Sequence, residues 1–220
     1  MNEKKILSYD ELDKLGRAQE ISRDNDSDLL KEIITNVKKT MKKNDLVSLS
    51  APGIGYNKRV FCIDFSDSEI KTFINPVILT KSDIQLTREI CSSLPNKEYL
   101  LPRNSEVDII YETPSGVIKT NTFKGVAAFV IQHEIDHLEG VTLQDIGLDI
   151  DKDFDEASDE EKQEIITMYL SSLEKRQKLL NEEIDSDKEL KTVSDRLKFS
   201  EALAKGEITF DNMDELVKLN

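Results

Sequence analysis

The sequence predicts an α+β domain, in which mostly antiparallel sheets surround one central helix and a C-terminal helical hairpin follows as an extension. Three features of the chain support this class. Apolar segments of strand length alternate with turn residues through the first part of the sequence. One longer apolar run, at residues 123–131, has the length of a buried helix. After residue 148 the composition changes to charged sequence with helical periodicity, so the domains predicted are residues 1–148 and 149–220.

The first helix and the strands follow from local patterns along the chain. A helix-like stretch occupies residues 28–43. Turn signals occur at Asn75-Pro76 and at Pro114-Ser115-Gly116. The predicted strands are residues 60–65, 72–80, 107–112 and 117–123.

Both histidines of the chain, His133 and His137, lie in one short run just after the apolar segment. That run reads Gln132-His133-Glu134-Ile135-Asp136-His137-Leu138-Glu139-Gly140. Positions i and i+4 share one face of a helix, so two imidazoles can bind one metal ion while Glu134 stands beside them as a base. Gly140 then supplies a helix C-terminus. The central helix is therefore predicted to bind a divalent metal, and the chemistry indicated is metal-assisted hydrolysis.

A third protein ligand has to come from outside this helix, because a catalytic zinc-like site usually has three protein ligands and a water. The chain has no third histidine, and its downstream carboxylates show no distinctive spacing. Cys62 lies in an apolar strand-like run and is predicted to be a packed core thiol. Cys91 lies between a polar strand candidate and a proline-interrupted segment, where a structural role and a metal-ligand role both stay open.

At these positions the chain resembles the peptide deformylase family. The family's third motif, Gln-His-Glu-x-Asp-His-Leu-x-Gly, is matched at every specified position between Gln132 and Gly140. Residues 6–9 resemble the family's opening strand, and the resemblance spans roughly residues 4–148. The family's second motif, Glu-Gly-Cys-Leu-Ser, resembles Glu89-Ile90-Cys91-Ser92-Ser93, and the Pro-Arg pair that follows it is similar to Pro102-Arg103.

The resemblance implies a metal site and an activity. Cys91, His133 and His137 would hold the metal, and Glu134 would activate the metal-bound water. The metal would be Fe²⁺ or Zn²⁺, with Ni²⁺ or Co²⁺ as substitutes. Residues 1–148 would then be the catalytic domain. The substrates implied are N-formylmethionyl peptides or nascent chains, whose N-formyl group is removed by hydrolysis.

Three further residues are predicted to surround the ligands. Asp136 and Arg103 form an ion pair beneath the site in one hypothesis, and an ordinary partly exposed salt bridge is the alternative. Gln132, which directly precedes the first histidine, is assigned to the same surroundings.

The family's first motif, Gly-x-Gly-x-Ala-Ala-x-Gln, is altered in this chain. Gly53 stands where the family has a glutamine, whose amide stabilises the oxyanion together with the backbone N–H after the cysteine, here that of Ser92. Loss of one such donor costs on the order of 3 kcal/mol. Leu46, Val47 and Ser48 are predicted to line the substrate cleft, where the first and last of them add side chains in place of glycine. The matching run is Leu46-Val47-Ser48-Leu49-Ser50-Ala51-Pro52-Gly53.

Intact metal ligands beside an altered first motif leave three functions open. The leading one is deformylation of N-formylmethionyl peptides by a divergent enzyme. The second is a catalytically weakened, deformylase-like binding or assembly module that acts through its acidic helical tail. The third is a metalloprotease of the His-Glu-x-x-His class, which gives no role to Cys91 and lacks a clear downstream ligand.

The net charge of −14 is concentrated in the C-terminal part. Residues 145–220 contain 22 acidic and 11 basic residues, or −11, whereas residues 1–144 contain 22 and 19, or −3. This tail disfavours direct binding of nucleic acid. Apolar stripes within residues 159–184 and 190–204 predict a helical hairpin, with Ser158 or Asp159 as the first helix cap. Residues 159–205 are thus a candidate surface for a protein partner or for self-association.

The sequence also bears on cellular location. No apolar stretch approaches the ~20 residues of a membrane span, and no secretory leader opens the chain, so contact with a membrane is not expected. Two cysteines without a disulfide framework indicate a reducing compartment. Cytoplasm is the simplest interpretation, although an organelle or a virus-infected host cell would give the same pattern.

Overall fold

A computed structural model describes residues 4–65 and 69–184 of the chain. Helices pack on an antiparallel sheet in this structure, which confirms the predicted α+β class. The elements, in chain order, are α1 Tyr9–Asp13, α2 Arg23–Asn44, β1 Ser48–Ser50, a 3₁₀ helix Pro52–Ile54, β2 Val60–Ile63, β3 Lys71–Cys91, β4 Leu94–Glu112, β5 Ile118–Lys124, α3 Val126–Leu138, α4 Leu143–Ile146, β6 Leu148–Ile150, α5 Lys152–Glu156 and α6 Asp159–Ile184.

The sheet has the strand order β1-β2-β3-β4-β5, and each neighbouring pair is antiparallel. β6 pairs with the first part of β4. All four predicted strands lie within or overlap β2 to β5, and the predicted turn at residues 114–116 joins β4 to β5. β3 and β4 are much longer than predicted. Residues 81–90 of β3 are largely polar and exposed, and the apolar residues among them, Ile84, Leu86 and Ile90, are themselves exposed and mark no buried face.

The turn predicted at Asn75-Pro76 is wrong, since both residues lie inside β3. The pairing with β4 shifts register between Ile74 and Val77, and Asn75 has a φ of 48°. The Asn75 amide exchanges hydrogen bonds with the backbone N–H and C=O of Ile21, each 2.9 Å long. A β-bulge therefore accommodates the proline, which has no N–H to offer the sheet.

Residues 6–9 do not form the predicted opening strand. Residues 6–8 belong to no regular element, and α1 begins at Tyr9. The backbone N–H of Leu7 donates to the carbonyl of Gly53 at 2.9 Å, and that of Tyr9 donates to the carbonyl of Ser93 at 3.1 Å. Each bond reaches a different segment, so no continuous ladder forms.

Two apolar clusters hold the helices against the sheet. α3 contributes an apolar stripe at helical spacing to the first cluster, and α2 does the same for the second. The buried members of the first cluster are Ala18, Phe61, Ile63, Phe73, Val107, Ile109, Tyr111, Ala128, Ile131, Ile135 and Leu138. Those of the second are Ile21, Leu30, Ile33, Val37, Met41, Leu49, Ala51, Ile54, Val60, Cys62 and Ile74. The first cluster fixes the orientation of α3 about its axis. Because the apolar stripe of α3 packs into this cluster, the helix face that carries both histidines points toward β3.

The first helix of the extension has the predicted bounds, α6, and begins after Ser158. The backbone N–H of Ser158 donates to Oε2 of Glu161 at 2.9 Å, and the backbone N–H of Glu161 donates to Oγ of Ser158 at 3.3 Å, which is the pattern of a capping box. The chain divides into two units, one ending at Lys162 and one beginning at Gln163. Residues 190–204, the predicted second helix, lie outside the described part, so the hairpin and the boundary at residue 148 stay predictions. No helix of the described residues is long and apolar enough to cross a membrane.

Candidate metal centre

The side chains of Cys91, His133 and His137 converge from two separate elements. Cys91 is the last residue of β3, at the tip of the β3–β4 hairpin, whereas the histidines lie one turn apart on α3. Sγ of Cys91 lies 3.3 Å from Nε2 of His137, and that nitrogen lies 3.2 Å from Nε2 of His133. The three candidate ligand atoms all lie within 4.8 Å of one another.

This donor set fits a divalent transition metal. Donors that surround a tetrahedral ion at the usual 2.0–2.3 Å are roughly 3.3–3.8 Å apart, close to the separations measured here. Burial, together with neighbouring His133, holds the pKa of His137 well below its ordinary value. The His137 imidazole is therefore neutral and offers a lone pair to a metal. A thiolate with two imidazoles accepts iron, zinc, nickel or cobalt.

Glu89, on β3, supports one of the candidate ligands from behind. Its Oε2 lies 2.9 Å from Nδ1 of His133, which leaves Nε2 of that ring for the metal. Arg103 on β4 donates to both carboxylate oxygens of Glu89, at 2.8 and 3.0 Å. Burial alone would raise the pKa of Glu89, but the hydrogen bonds from His133 and Arg103 lower it to about 2. Glu89 is thus an anion that fixes the orientation of the imidazole.

The expected contact between Arg103 and Asp136 is present, and it belongs to the same network. Nη1 of Arg103 donates to Oδ2 of Asp136, while the rest of the guanidinium holds Glu89. Sequence reasoning did not assign Glu89 to the site. Its position two residues before Cys91 was an available signal, because residues i and i+2 of a strand face the same side.

Gln132 connects the helix with the sheet. Its Nε2 donates to the carbonyl of Asn104 at 2.7 Å, and its Oε1 accepts from the backbone N–H of Asn104 at 3.1 Å. Nε2 also reaches the carbonyl of Ala128 at 3.0 Å. This paired contact fixes α3 against β4, directly beside the first candidate ligand.

Glu134 is buried, and its carboxylate faces β1. The hydroxyl of Ser48 donates to Oε1 of Glu134 at 2.6 Å. Oε2 is also buried and has no hydrogen-bond partner among the described residues. Burial raises the pKa of Glu134, although His133 and the hydroxyls of Ser48 and Ser50 oppose the rise. A carboxyl group with a raised pKa is suited to take up and return a proton near neutral pH.

A cavity of about 1100 Å³ opens onto these residues. Leu46, Val47 and Ser48 line it, and their assignment to a substrate cleft stays a prediction. Leu46 also packs against the α2 cluster, and Val47 is 59% exposed. Neither Leu46 nor Ser48 adopts a positive φ, so side chains at these former glycine positions of the motif cause no backbone strain.

The two positions assigned to oxyanion stabilisation also line this cavity. Gly53 is buried in the 3₁₀ helix, where a Cβ would lie 3.1 Å from Cδ1 of Leu49 and 3.6 Å from Oγ of Ser50. A side chain at residue 53 therefore requires Leu49 to shift by a few tenths of an ångström. Ser92 lies in the turn between β3 and β4, directly after Cys91.

Known proteins with similar sequence or structure agree on one family. A family model described as polypeptide deformylase matches residues 3–151. The peptide deformylase of Natranaerobius thermophilus is 34% identical over 143 residues, which cover 64% of this chain and 90% of the relative. The crystal structure of the Thermotoga maritima peptide deformylase has a TM-score of 0.61 and 29% identity, covering 66% of this chain and 97% of that one.

A second solved structure extends this similarity. The peptide deformylase from Acinetobacter baumannii, determined with Met-Ala-Ser bound, has a TM-score of 0.60 and 25% identity. The match covers 66% of this chain and 99% of that one. Because the family model also covers well over half of the sequence, the chain belongs to the peptide deformylase family.

Proposed function

We propose that this chain is a metal-dependent hydrolase that removes the formyl group from N-formylmethionyl peptides. The observation that carries the proposal is the convergence of Cys91, His133 and His137, with Glu134, on one cavity. Membership of the deformylase family supports it. The Acinetobacter baumannii relative has Met-Ala-Ser bound, a peptide that begins with methionine as a deformylated product would.

The residues of the site divide the work of hydrolysis. When bound, a divalent metal supplies Lewis acidity, which lowers the pKa of water and polarises the formyl carbonyl. Glu134 takes the proton of the attacking water and returns it to the departing amine. The backbone N–H of Ser92 donates to the carbonyl oxygen as negative charge develops there. Glu89 and Arg103 keep the imidazole of His133 in place.

We assign Fe²⁺ or Zn²⁺ as the metal, with Ni²⁺ or Co²⁺ as substitutes. One sulfur and two nitrogen donors, Cys91, His133 and His137, support this assignment, since such a mixed set suits borderline-soft ions better than Mg²⁺ or Ca²⁺. Metal analysis of anaerobically purified protein, alongside its deformylation rate, tests the choice. The metal that is bound in stoichiometric amount and gives the highest rate is the native one.

We propose a role and a partner for each of the two predicted domains, and a location for the protein. Residues 1–148 would act on formylated peptides or nascent chains, and residues 149–220 would form the acidic extension. Within it, residues 159–205 are proposed to bind a protein partner or a second copy. Cys62 and Cys91 are both free thiols, which supports a reducing compartment such as the cytoplasm.

A second candidate, a binding module with little catalysis, is favoured by Gly53. The amide expected at that position is missing, and Leu49 partly occupies the space that a side chain at residue 53 would need. The metalloprotease alternative explains less, because it gives no role to the sulfur of Cys91 within the ligand cluster.

Formate release from formyl-Met-Ala-Ser by metal-loaded protein tests the proposal. We expect turnover by the wild type, and loss of at least ~100-fold in kcat in Glu134→Ala with the metal content unchanged. Stoichiometric metal without formate release would favour the binding module. Cleavage of the peptide bond without formate release would favour the protease.

A further inference from the structure

We propose that Ser48 is a positioning residue for the general base, and that its hydroxyl gives the two oxygens of Glu134 different roles. This inference rests on the proposed function. The hydroxyl donates to Oε1 of Glu134 at 2.6 Å, a short distance typical of a hydrogen bond to a carboxylate. Oε2 is left buried and without a partner among the described residues. Oε1 thus holds the carboxylate in place, and Oε2 receives the proton.

The surroundings explain how the Ser48 hydroxyl can orient the group. Glu134 is only 3% exposed, so bulk solvent has little access to its oxygens. Its backbone is fixed by α3, and Ser48 is fixed by pairing with Ile63 of β2. A hydrogen bond between two rigid elements restricts rotation of the terminal torsion of Glu134, which is otherwise broad. Glu134 lines the same cavity as the three candidate ligands.

The position of this serine in the first motif makes the inference specific to this chain. Ser48 stands where the motif of the resembling family has its second glycine, a residue without any side-chain donor. Five residues later, Gly53 replaces the motif's glutamine. The segment has therefore lost an amide donor at one end and gained a hydroxyl donor at the other. A buried hydroxyl without a partner would be costly, and the bond to Glu134 satisfies it.

Three substitutions at one position test the role. Ser48→Ala and Ser48→Gly remove the hydroxyl, and Ser48→Thr keeps it. We expect the first two to lower kcat about tenfold, with KM and metal content within about twofold of wild type, because the ligands and the cleft stay intact. Ser48→Thr should recover most of kcat. Glycine is the motif's own residue here, so Ser48→Gly provides a folded variant if alanine does not.

Ser50→Ala provides a matched comparison on the same strand. Oγ of Ser50 is buried without a hydrogen-bond partner among the described residues, although this hydroxyl, like that of Ser48, opposes the rise in the pKa of Glu134; alanine is the motif's residue at that position. Its loss of kcat should be clearly smaller than that of Ser48→Ala. Equal losses would mean that the polarity of β1 matters and the directed bond does not, which overturns the proposal.

Two other outcomes would also overturn it. A rise in KM with unchanged kcat would make Ser48 a substrate contact. If kcat does not recover in Ser48→Thr, the hydroxyl is not the cause of the effect. If the wild type releases no formate, the proposed function fails, and crystal structures of the metal-loaded wild type and Ser48→Ala decide the positioning role separately. Displacement or disorder of the Glu134 carboxylate in the variant supports that role, and an unmoved carboxylate refutes it.

Discussion

Glu89 accepts a hydrogen bond from His133, with 2.9 Å between Oε2 and Nδ1, and this contact joins the candidate metal ligands to a buried ionic network. Glu89 also forms an ion pair with Arg103, and the ring of His133 contacts that of His137. Because Glu89 and Cys91 project from the same face of β3, one strand supplies a candidate ligand and also the support for a second one. Small shifts of this strand would therefore affect two ligands together.

Replacing Glu89 by glutamine should weaken metal binding by about 10–100-fold. The amide keeps the shape of the side chain but removes the charge that raises the basicity of His133 and pairs with Arg103. Competition with a coloured chelator measures the affinity. Glu106→Gln is the control, since Glu106 lies on β4 in an outlying ion pair with Lys124 and should bind metal as the wild type does. Equal affinity of both variants would contradict the supporting role of Glu89.

Replacing Gly53 by glutamine should raise kcat by about 10–100-fold, because it adds the amide donor that the first motif lacks. The new side chain has to displace Leu49, whose Cδ1 would be 3.1 Å from its Cβ, so we expect a stability loss of about 1 kcal/mol. Steady-state kinetics and thermal melting measure the two effects.

Gly53→Ala separates the amide from the added bulk. It introduces the same Cβ beside Leu49 and should lower the melting temperature without raising kcat. If the alanine variant gains as much activity as the glutamine variant, the missing amide does not limit this enzyme.

The two cysteines should react differently with iodoacetamide. Burial raises the pKa of Cys62 to about 11, so nearly all of this thiol is protonated and unreactive at pH 8. We expect it to react only when the pH approaches 11 or after the protein unfolds. Cys91 lines the cavity, so we expect it to be protected only while it holds metal. Mass spectrometry should show no modification of the metal-loaded protein and one after chelation. Cys91→Ser should stay unmodified under both conditions, and labelling of Cys62 in the folded protein would contradict this assignment.

The cluster of candidate ligands could be predicted because two of its residues are close in sequence and the third belongs to a recognisable motif. His133 and His137 share a helical face by spacing alone, and Cys91 was identified through the resemblance of its flanking residues. The environment of Glu134 could not be predicted in this way. Its contact with Ser48 crosses 86 positions of sequence and depends on how α3 packs against β1.

The errors in the predicted fold have a similar cause. Asn75-Pro76 carries a strong local turn signal, but Ile21, from a distant segment, pairs with the asparagine and turns the site into a bulge. Residues 81–90 are mostly polar and have no buried apolar face, and their strand conformation is imposed by pairing with β4. Tertiary contacts decided these elements, whereas the helix at residues 28–43 was marked by its own periodicity.

The β3–β4 hairpin is anchored at its far end by the sulfur of Cys91, which lies 46 positions from His137 in sequence. An ion shared by these side chains would act as a cross-link between the hairpin tip and α3, closing a long loop of chain. Removing the ion would therefore do more than stop hydrolysis. Amide hydrogens near the tip should then exchange with solvent faster, whereas those under α2 keep their protection. The metal would therefore also stabilise the folded hairpin.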